Sequence, residues 1–215
     1  MRERIRSVFF MFGICLVFTA AVSAVNRMNV DRIRQNEQMR IQGLVLNVLQ
    51  IDSGASLSDR EISGLFQKRV RTSTIGNRPL YVGLDPTGQS VVGYAFPISG
   101  PGFWGPIEAM IATDQQVSRI IGVAFYRHSE TPGLGGRITE SWFQKQFQGR
   151  TLETPVPGKR YFTFKAQGTA KGNAELDAIT GATETTRRLE VFLDEELKKT
   201  LAVLAEKTSD PKQIE

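Results

Sequence analysis

The chain has 215 residues, enough for one domain with a real core plus an appendage. Its formal charge is +5, and Arg2, Arg4 and Arg6 open it with only Glu3 against them. One cysteine, Cys15, and one histidine, His128, exclude an internal disulfide, a Cys-ligated zinc or iron–sulfur centre within one chain, and covalent c-type haem.

Val8 to Val25 reads VFFMFGICLVFTAAVSAV, 18 residues without a charge. As a helix it would cover about 27 Å, just enough to cross a hydrocarbon core. A cleavable signal peptide is one reading, with Val22-Ser23-Ala24 as an acceptable cleavage site. A retained anchor fits the length better. Both readings keep the arginines in the cytoplasm and place everything after Asn26 on the far side. Ile14 before Cys15 argues against a lipoprotein signal.

Asn29 to Gln50 reads as a helix, with Val30, Ile33, Ile41, Leu44, Val48 and Ile51 near a 3.6 period. It would carry the chain away from the bilayer and end at Ser53-Gly54. A second short helix is expected over Ser58–Arg71, with Ile62, Leu65, Phe66 and Val70 on one side. PLYVGLD (79–85) and SVVGYAFPI (90–98) flank Pro86-Thr87-Gly88 and predict a hairpin. PIEAMIATD (106–114) and VSRIIGVAFYRH (117–128) flank Asp114-Gln115-Gln116 in the same way. Thr139 to Phe147 predicts a short helix burying Trp142, Phe143 and Phe147, and RYFTFKA (160–166) another strand. Leu189, Phe192, Leu193, Leu197, Leu201 and Leu204 make an apolar stripe on a closing helix. The polar residues 209–215 read as a frayed tail.

Strands cluster in the middle and helices at the ends. The fold class is therefore α+β: an N-terminal transmembrane helix, then one domain with a mainly antiparallel sheet flanked by helices. The expected divisions are 1–25 for the basic start and anchor, 26–75 for a helical juxtamembrane region, 76–208 for the domain and 209–215 for the tail.

Two stretches could carry chemistry. DAITGATETTRRLE (177–190) places Thr180, Thr183, Thr185 and Thr186 around Gly181-Ala182, just where the last helix begins. Helix entrances leave N–H groups unpaired and suit a phosphate. The bland alternative is that Thr183 or Thr185 is simply an N-cap. HSETPGLGGR (128–137) follows the most apolar strand. Its glycines would let main-chain groups lie close to a flat ligand, with Glu130 and Thr131 supplying polar atoms. The bland alternative there is an ordinary Gly-rich turn.

Taken together, ETPGLG at Glu130 to Gly135, DAITGAT at Asp177 to Thr183 and GPGFWGPI at Gly100 to Ile107 closely resemble the FMN-binding subunits of the Rnf electron-transport complexes and of the sodium-translocating NADH:quinone reductases, RnfG and NqrC. With the anchor and the order of strands, the resemblance covers nearly the whole chain. It implies an electron-transfer subunit of a membrane-bound ion-translocating oxidoreductase complex, not catalytic alone. FMN would be linked covalently through its phosphate to Thr183. Thr180, Gly181, Ala182, Thr185 and Thr186 would surround the phosphate, the three threonines donating hydrogen bonds to it. Glu130, Thr131, Gly133, Leu134 and Gly135 would hold the ring, with Gly133 and Gly135 leaving room for it. Asp177 would be read by the flavin transferase that loads FMN from FAD.

The implied partners are integral membrane subunits, the transferase and the membrane, with no nucleic acid and no metal. The implied location is the bacterial inner membrane, single-pass, with the domain on the periplasmic or extracellular side. Rnf-type membership is favoured by the short chain. An NqrC-type protein and a free-standing tethered flavoprotein remain alternatives. Glu184 departs from comfort beside a phosphate and should face solvent. His128 reads as a surface or hydrogen-bonded residue, Trp104 and Trp142 as core or rim, and Arg187-Arg188 as a solvated helix face; Phe103-Trp104, between glycines in a loop, is also placed to meet a partner or the ring.

Overall fold

Alternation along the middle strands sets the architecture. In β3 (Val91–Pro101), Tyr94, Phe96 and Ile98 point one way, and in β4 (Pro106–Asp114) Ile107, Ala109 and Ile111 do the same; all are buried in one core. The structure is a computed structural model that describes residues 2–51, 57–156 and 158–208. The helix end expected at Ser53-Gly54 and the tail 209–215 lie outside those residues.

Five strands form an antiparallel meander in the order β1 (Val70–Ile75), β2 (Arg78–Leu84), β3, β4 and β5 (Ile120–Arg127). Both hairpins expected from sequence are present. The predicted strand at 160–166 is shorter, β6 (Thr163–Lys165), and pairs in parallel with β7 (Glu175–Asp177) as a separate two-stranded sheet. Helix α2 (Asp59–Arg69) stops two residues earlier than expected, because Val70 and Arg71 already pair with Gly83 and Val82. β1 thus occupies residues read as helical from sequence.

The core face of the sheet is covered by α4 (Thr183–Thr208), whose expected stripe from Leu189 to Leu204 is buried throughout. Beside it, α3 (Ser141–Lys145) and β6 bring Phe143, Phe147, Phe162 and Phe164 into a ring cluster with Phe125. Phe143 and Phe164 stack with centroids 5.7 Å apart. Trp142 is only half-buried: its ring meets Phe143 edge-on with centroids 5.6 Å apart, and its other side lies under the Arg137 guanidinium. A 3-10 turn over Gly135–Thr139 precedes α3, so the segment is not one continuous helix.

The first helix, α1, runs unbroken from Arg2 to Val48. It contains an apolar window long enough to cross a membrane. The chain divides into two compact units, Met1–Ile41 and Gln42–Glu215. Ile33 is exposed; burial on α1 begins with the residues of the second unit, where Val45, Leu46, Val48 and Leu49 lie against the second face of the sheet. That face is lined with small residues. A Cβ on Gly122 would overlap the Val48 carbonyl oxygen and lie 2.8 Å from its carbonyl carbon, and Gln50 Nε2 donates to Ile121 O at 2.7 Å.

This packing makes residues 42–51 part of the domain. Gly122→Ala is expected to destabilise the domain by about 1–3 kcal/mol, because the helix backbone must move to admit one methyl. Chemical denaturation of the full chain checks this. A change below roughly 0.5 kcal/mol would mean the end of α1 is not packed there.

Candidate functional site

Three segments distant in sequence converge on one carboxylate. The β3–β4 turn carries Phe103 and Trp104, the loop after β5 carries Glu130, and the first turn of α4 carries Thr185. Glu130 is 4% exposed. Its Oε1 accepts the N–H groups of Phe103 (2.7 Å) and Trp104 (3.1 Å), and its Oε2 accepts the Thr185 hydroxyl (2.6 Å). The Glu130 N–H in turn donates to His128 Nδ1 at 3.1 Å, so His128 has the hydrogen-bonded role expected of it.

Above this knot is a cavity of about 340 Å³. Phe103 and Trp104 form one wall, Thr131, Leu134 and Gly135 another, and Gly181 to Thr185 the third, with Glu130 among them. The aromatic pair is T-shaped, with centroids 4.9 Å apart, and Trp104 is 66% exposed. Gly181 has φ +82°, which turns the chain into α4 in a conformation that L side chains avoid. Thr183 is the first residue of α4 and is exposed. Neither Thr183 nor Thr185 is the N-cap; Ala182 stands before the helix, and its carbonyl accepts from Thr186 N. The first-turn N–H groups have no intrahelical acceptor and carry the positive end of the helix dipole.

The site residues expected from sequence divide here. Glu130, Thr131, Leu134, Gly135, Gly181, Ala182, Thr183 and Thr185 all line the cavity; Gly133, Thr180, Thr186 and Asp177 do not. The hydroxyls expected to donate towards Thr183 are used elsewhere. Thr180 donates to Gln167 Oε1 (2.8 Å), Thr185 to Glu130, and Thr186 back to Ala182 O (2.8 Å). Gly133 has open space around its Cα and is required for its φ of +74°, not for close approach. Gly135 is the glycine that packing demands: a Cβ there would lie 2.7 Å from Glu130 Oε2 and overlap Thr185 Oγ1.

Asp177 organises its own neighbourhood. Its Oδ1 accepts the N–H groups of Thr169 and Ala170, both at 3.1 Å, while its own N–H donates to Gln146 Oε1 at 2.6 Å. Glu184 lies at the solvent edge of the cavity and pairs with Arg187 at 2.8 Å, whose hydrogen bond holds the Glu184 carboxyl below its usual range. Arg187 is therefore the solvated face expected. Arg188 is less so: its side chain is 39% exposed, its guanidinium lies 5.9 Å from the Phe103 ring centroid, and its Nε is shielded without a hydrogen-bond partner. The pair Phe103-Trp104 and Glu184 were outside the sequence-based site set. The glycines bracketing Phe103-Trp104 were the available signal for the first; nothing in the sequence marked the second as a cavity wall.

Removing the acceptor should loosen all three walls. Glu130→Ala is expected to cost about 3 kcal/mol, because it strands two N–H groups and a hydroxyl. Glu130→Gln should cost about half that, since its carbonyl oxygen replaces only part of the carboxylate. Denaturation followed by tryptophan fluorescence measures both; equal stability of Ala and wild type would show that the walls hold without Glu130.

Residues 102–194 match the FMN-binding domain family. The chain is 29% identical over 188 residues to an ion-translocating oxidoreductase complex protein of the RnfG kind from Shewanella baltica, covering 85% of this chain and 82% of that protein. It is 26% identical over 175 residues to the NqrC-type component of the Na(+)-translocating NADH-quinone reductase of Chlamydia muridarum, covering 74% of this chain but only 50% of that protein. It thus spans half of that relative's length, and 29% of the corresponding Chlamydia pneumoniae protein, to which it is 35% identical over 101 residues. The crystal structure of Shewanella oneidensis NqrC has the same fold, with a TM-score of 0.67 at 20% identity, covering 79% of this chain and 96% of that one. The antiparallel sheet, the convergent walls and these likenesses agree: residues 102–194 match an FMN-binding domain, and the chain is similar to RnfG- and NqrC-type proteins in sequence and fold.

Proposed function

We propose that this chain is the FMN-carrying electron-transfer subunit of a membrane-bound ion-translocating oxidoreductase complex, with FMN esterified through its phosphate to Thr183. One observation carries the reading. Thr183 is an exposed hydroxyl at the positive end of α4, on the wall of a cavity whose other walls are aromatic and glycine-rich. The residues fit the group. The α4 entrance favours the phosphodiester charge, Gly135 and Gly181 leave main chain bare along the cavity, and Phe103 and Trp104 offer apolar area to a flat ring.

A threonine hydroxyl needs a base to become a nucleophile. No side chain hydrogen-bonded to Thr183 is seen among the described residues, so a flavin transferase supplies the base. The Thr183 Oγ1–P bond forms as the pyrophosphate bond of FAD breaks; AMP leaves, and the hydroxyl proton passes to the transferase. Asp177 would act there by holding the approach loop in shape. Bound FMN then supplies the electron transfer, and the chain supplies attachment, orientation and electrostatics. Glu130 keeps the three walls in register, and Thr131 offers a second exposed hydroxyl across the cavity from Thr183.

An Rnf-type complex is the better reading, because the match to the Shewanella baltica protein runs over most of both chains. The likeness to NqrC covers nearly all of the crystallised Shewanella oneidensis chain and supports the NqrC-type alternative through the fold. The apolar window of α1 is read as a single-pass anchor in the bacterial inner membrane. Arg2, Arg4 and Arg6 before it put the domain on the periplasmic or extracellular side.

Co-expression with a flavin transferase should add one FMN to the peptide containing Thr183, as read by mass spectrometry. Thr183→Ala should lose the adduct and Thr185→Ala should keep it; an adduct surviving in Thr183→Ala overturns the assignment. For topology, a reporter that works only after export should be active when fused after Glu215. Activity from a cytoplasm-only reporter at the same place would reverse the orientation.

A further inference from the structure

We infer that Arg188 is the cationic group beside the flavin cavity, its guanidinium attracting an anionic oxygen of the bound flavin. The inference rests on the FMN reading above and adds a residue to it. The only charged side chains lining the cavity, among the described residues, are Glu130 and Glu184, both acidic. A flavin phosphodiester is an anion, and reduction adds negative charge to the ring. Against these two carboxylates the lining sets the positive end of α4 but no cationic side chain.

The next residues along α4 supply cations, and the two differ. Arg187 is 62% exposed at its side chain and spends both Nε (3.3 Å) and Nη2 (2.8 Å) on Glu184, which neutralises that carboxylate on the solvent side. Arg188 lies over the Phe103 ring, on a residue that forms the aromatic wall. Its Nε stands 4.0 Å from Glu184 Oε2, beyond a hydrogen bond, and is buried with no acceptor. The Arg188 side chain is 39% exposed, and its guanidinium makes no hydrogen bond among the described residues, so its charge stays available to an anion held against Phe103. The cation–π contact with Phe103 holds the guanidinium at that edge.

Two oxygens of the flavin share this chemistry, the phosphodiester and the ring carbonyl region that turns negative on reduction. The full chain is flavinylated in cells, solubilised in detergent and titrated for reduction potential as wild type, Arg188→Gln, Arg188→Lys and Arg187→Gln. In parallel, Thr183→Ala chains with and without Arg188→Gln are titrated with free FMN and with riboflavin, which differ by the phosphate, following tryptophan fluorescence.

Contact with the ring predicts that Arg188→Gln shifts the reduction equilibrium about tenfold towards oxidised flavin, ~30 mV for a two-electron couple. It also predicts equal weakening of FMN and riboflavin binding. Contact with the phosphate predicts that FMN binding weakens about tenfold while riboflavin binding and the potential hold. In either case Arg188→Lys should restore most of the effect, which loss of packing at Phe103 would not produce, and Arg187→Gln should have a smaller effect than Arg188→Gln, through release of Glu184. If Arg188→Gln moves neither potential nor binding, or Arg187→Gln moves them equally, the inference is overturned. Failure of the FMN reading itself looks different: wild-type Thr183 would carry no adduct in the presence of the transferase, while the free-flavin titrations would still decide the role of Arg188.

Discussion

A carboxylate removed from water must find donors, and in this fold Glu130 finds all of its donors on other segments. Two come from the main chain of Phe103 and Trp104 and one from the Thr185 hydroxyl. The need to satisfy that buried charge brings the β3–β4 turn, the loop after β5 and the start of α4 to one point. It also dictates what its neighbours can be. A side chain on Gly102 or Gly135 would occupy the space of the same carboxylate, so both positions are bare. The cavity is the space these three segments leave above their shared knot.

The sheet makes this arrangement rigid. Its core face is filled by α4 and by the phenylalanines gathered around α3 and β6, and its second face by the end of α1 on a surface of small residues. α4 serves both layers. Its apolar stripe from Leu189 to Leu204 fixes the helix against β3, which in turn fixes where its first turn presents Thr183. A residue intended for covalent modification has to be exposed yet fixed in position, and the entrance of a well-packed helix meets both conditions. Acidic Glu184 is tolerated beside Thr183 because Arg187 engages it on the outer side.

Most of the secondary structure was legible from short-range pattern. The period-2 strands around Pro86-Thr87-Gly88 and Asp114-Gln115-Gln116, and the 3.6-period stripe of α4, depend only on which residues must be buried, and their burial is what the structure shows. The errors came where a neighbour decided. Val70 and Arg71 continue a helical pattern yet join β1, because β2 offers them a ladder. RYFTFKA has strand composition along its length, but only three of its residues find a partner strand. Trp142 looks like core and is half-buried because its ring lies between Phe143 and the Arg137 guanidinium, with its N–H given to Glu140.

Local sequence was enough to set the apolar window of α1, the antiparallel pairings and the two motifs around Glu130 and Thr183. These rest on composition, alternation and glycine placement, which are properties of short segments. How the motif residues are employed was left to long-range packing. Thr180, Thr185 and Thr186 look alike as hydroxyls near a helix entrance, but each donates to an acceptor already in place, two of them on segments more than ten residues away. Gly133 and Gly135 look alike as loop glycines, yet one answers to a backbone angle and the other to the carboxylate and hydroxyl beside it. Arg187 and Arg188 are adjacent in sequence, and the helix turns one onto Glu184 and the other onto Phe103. Which acceptor lies within reach of a side chain depends on how distant segments pack, and no local pattern encodes it.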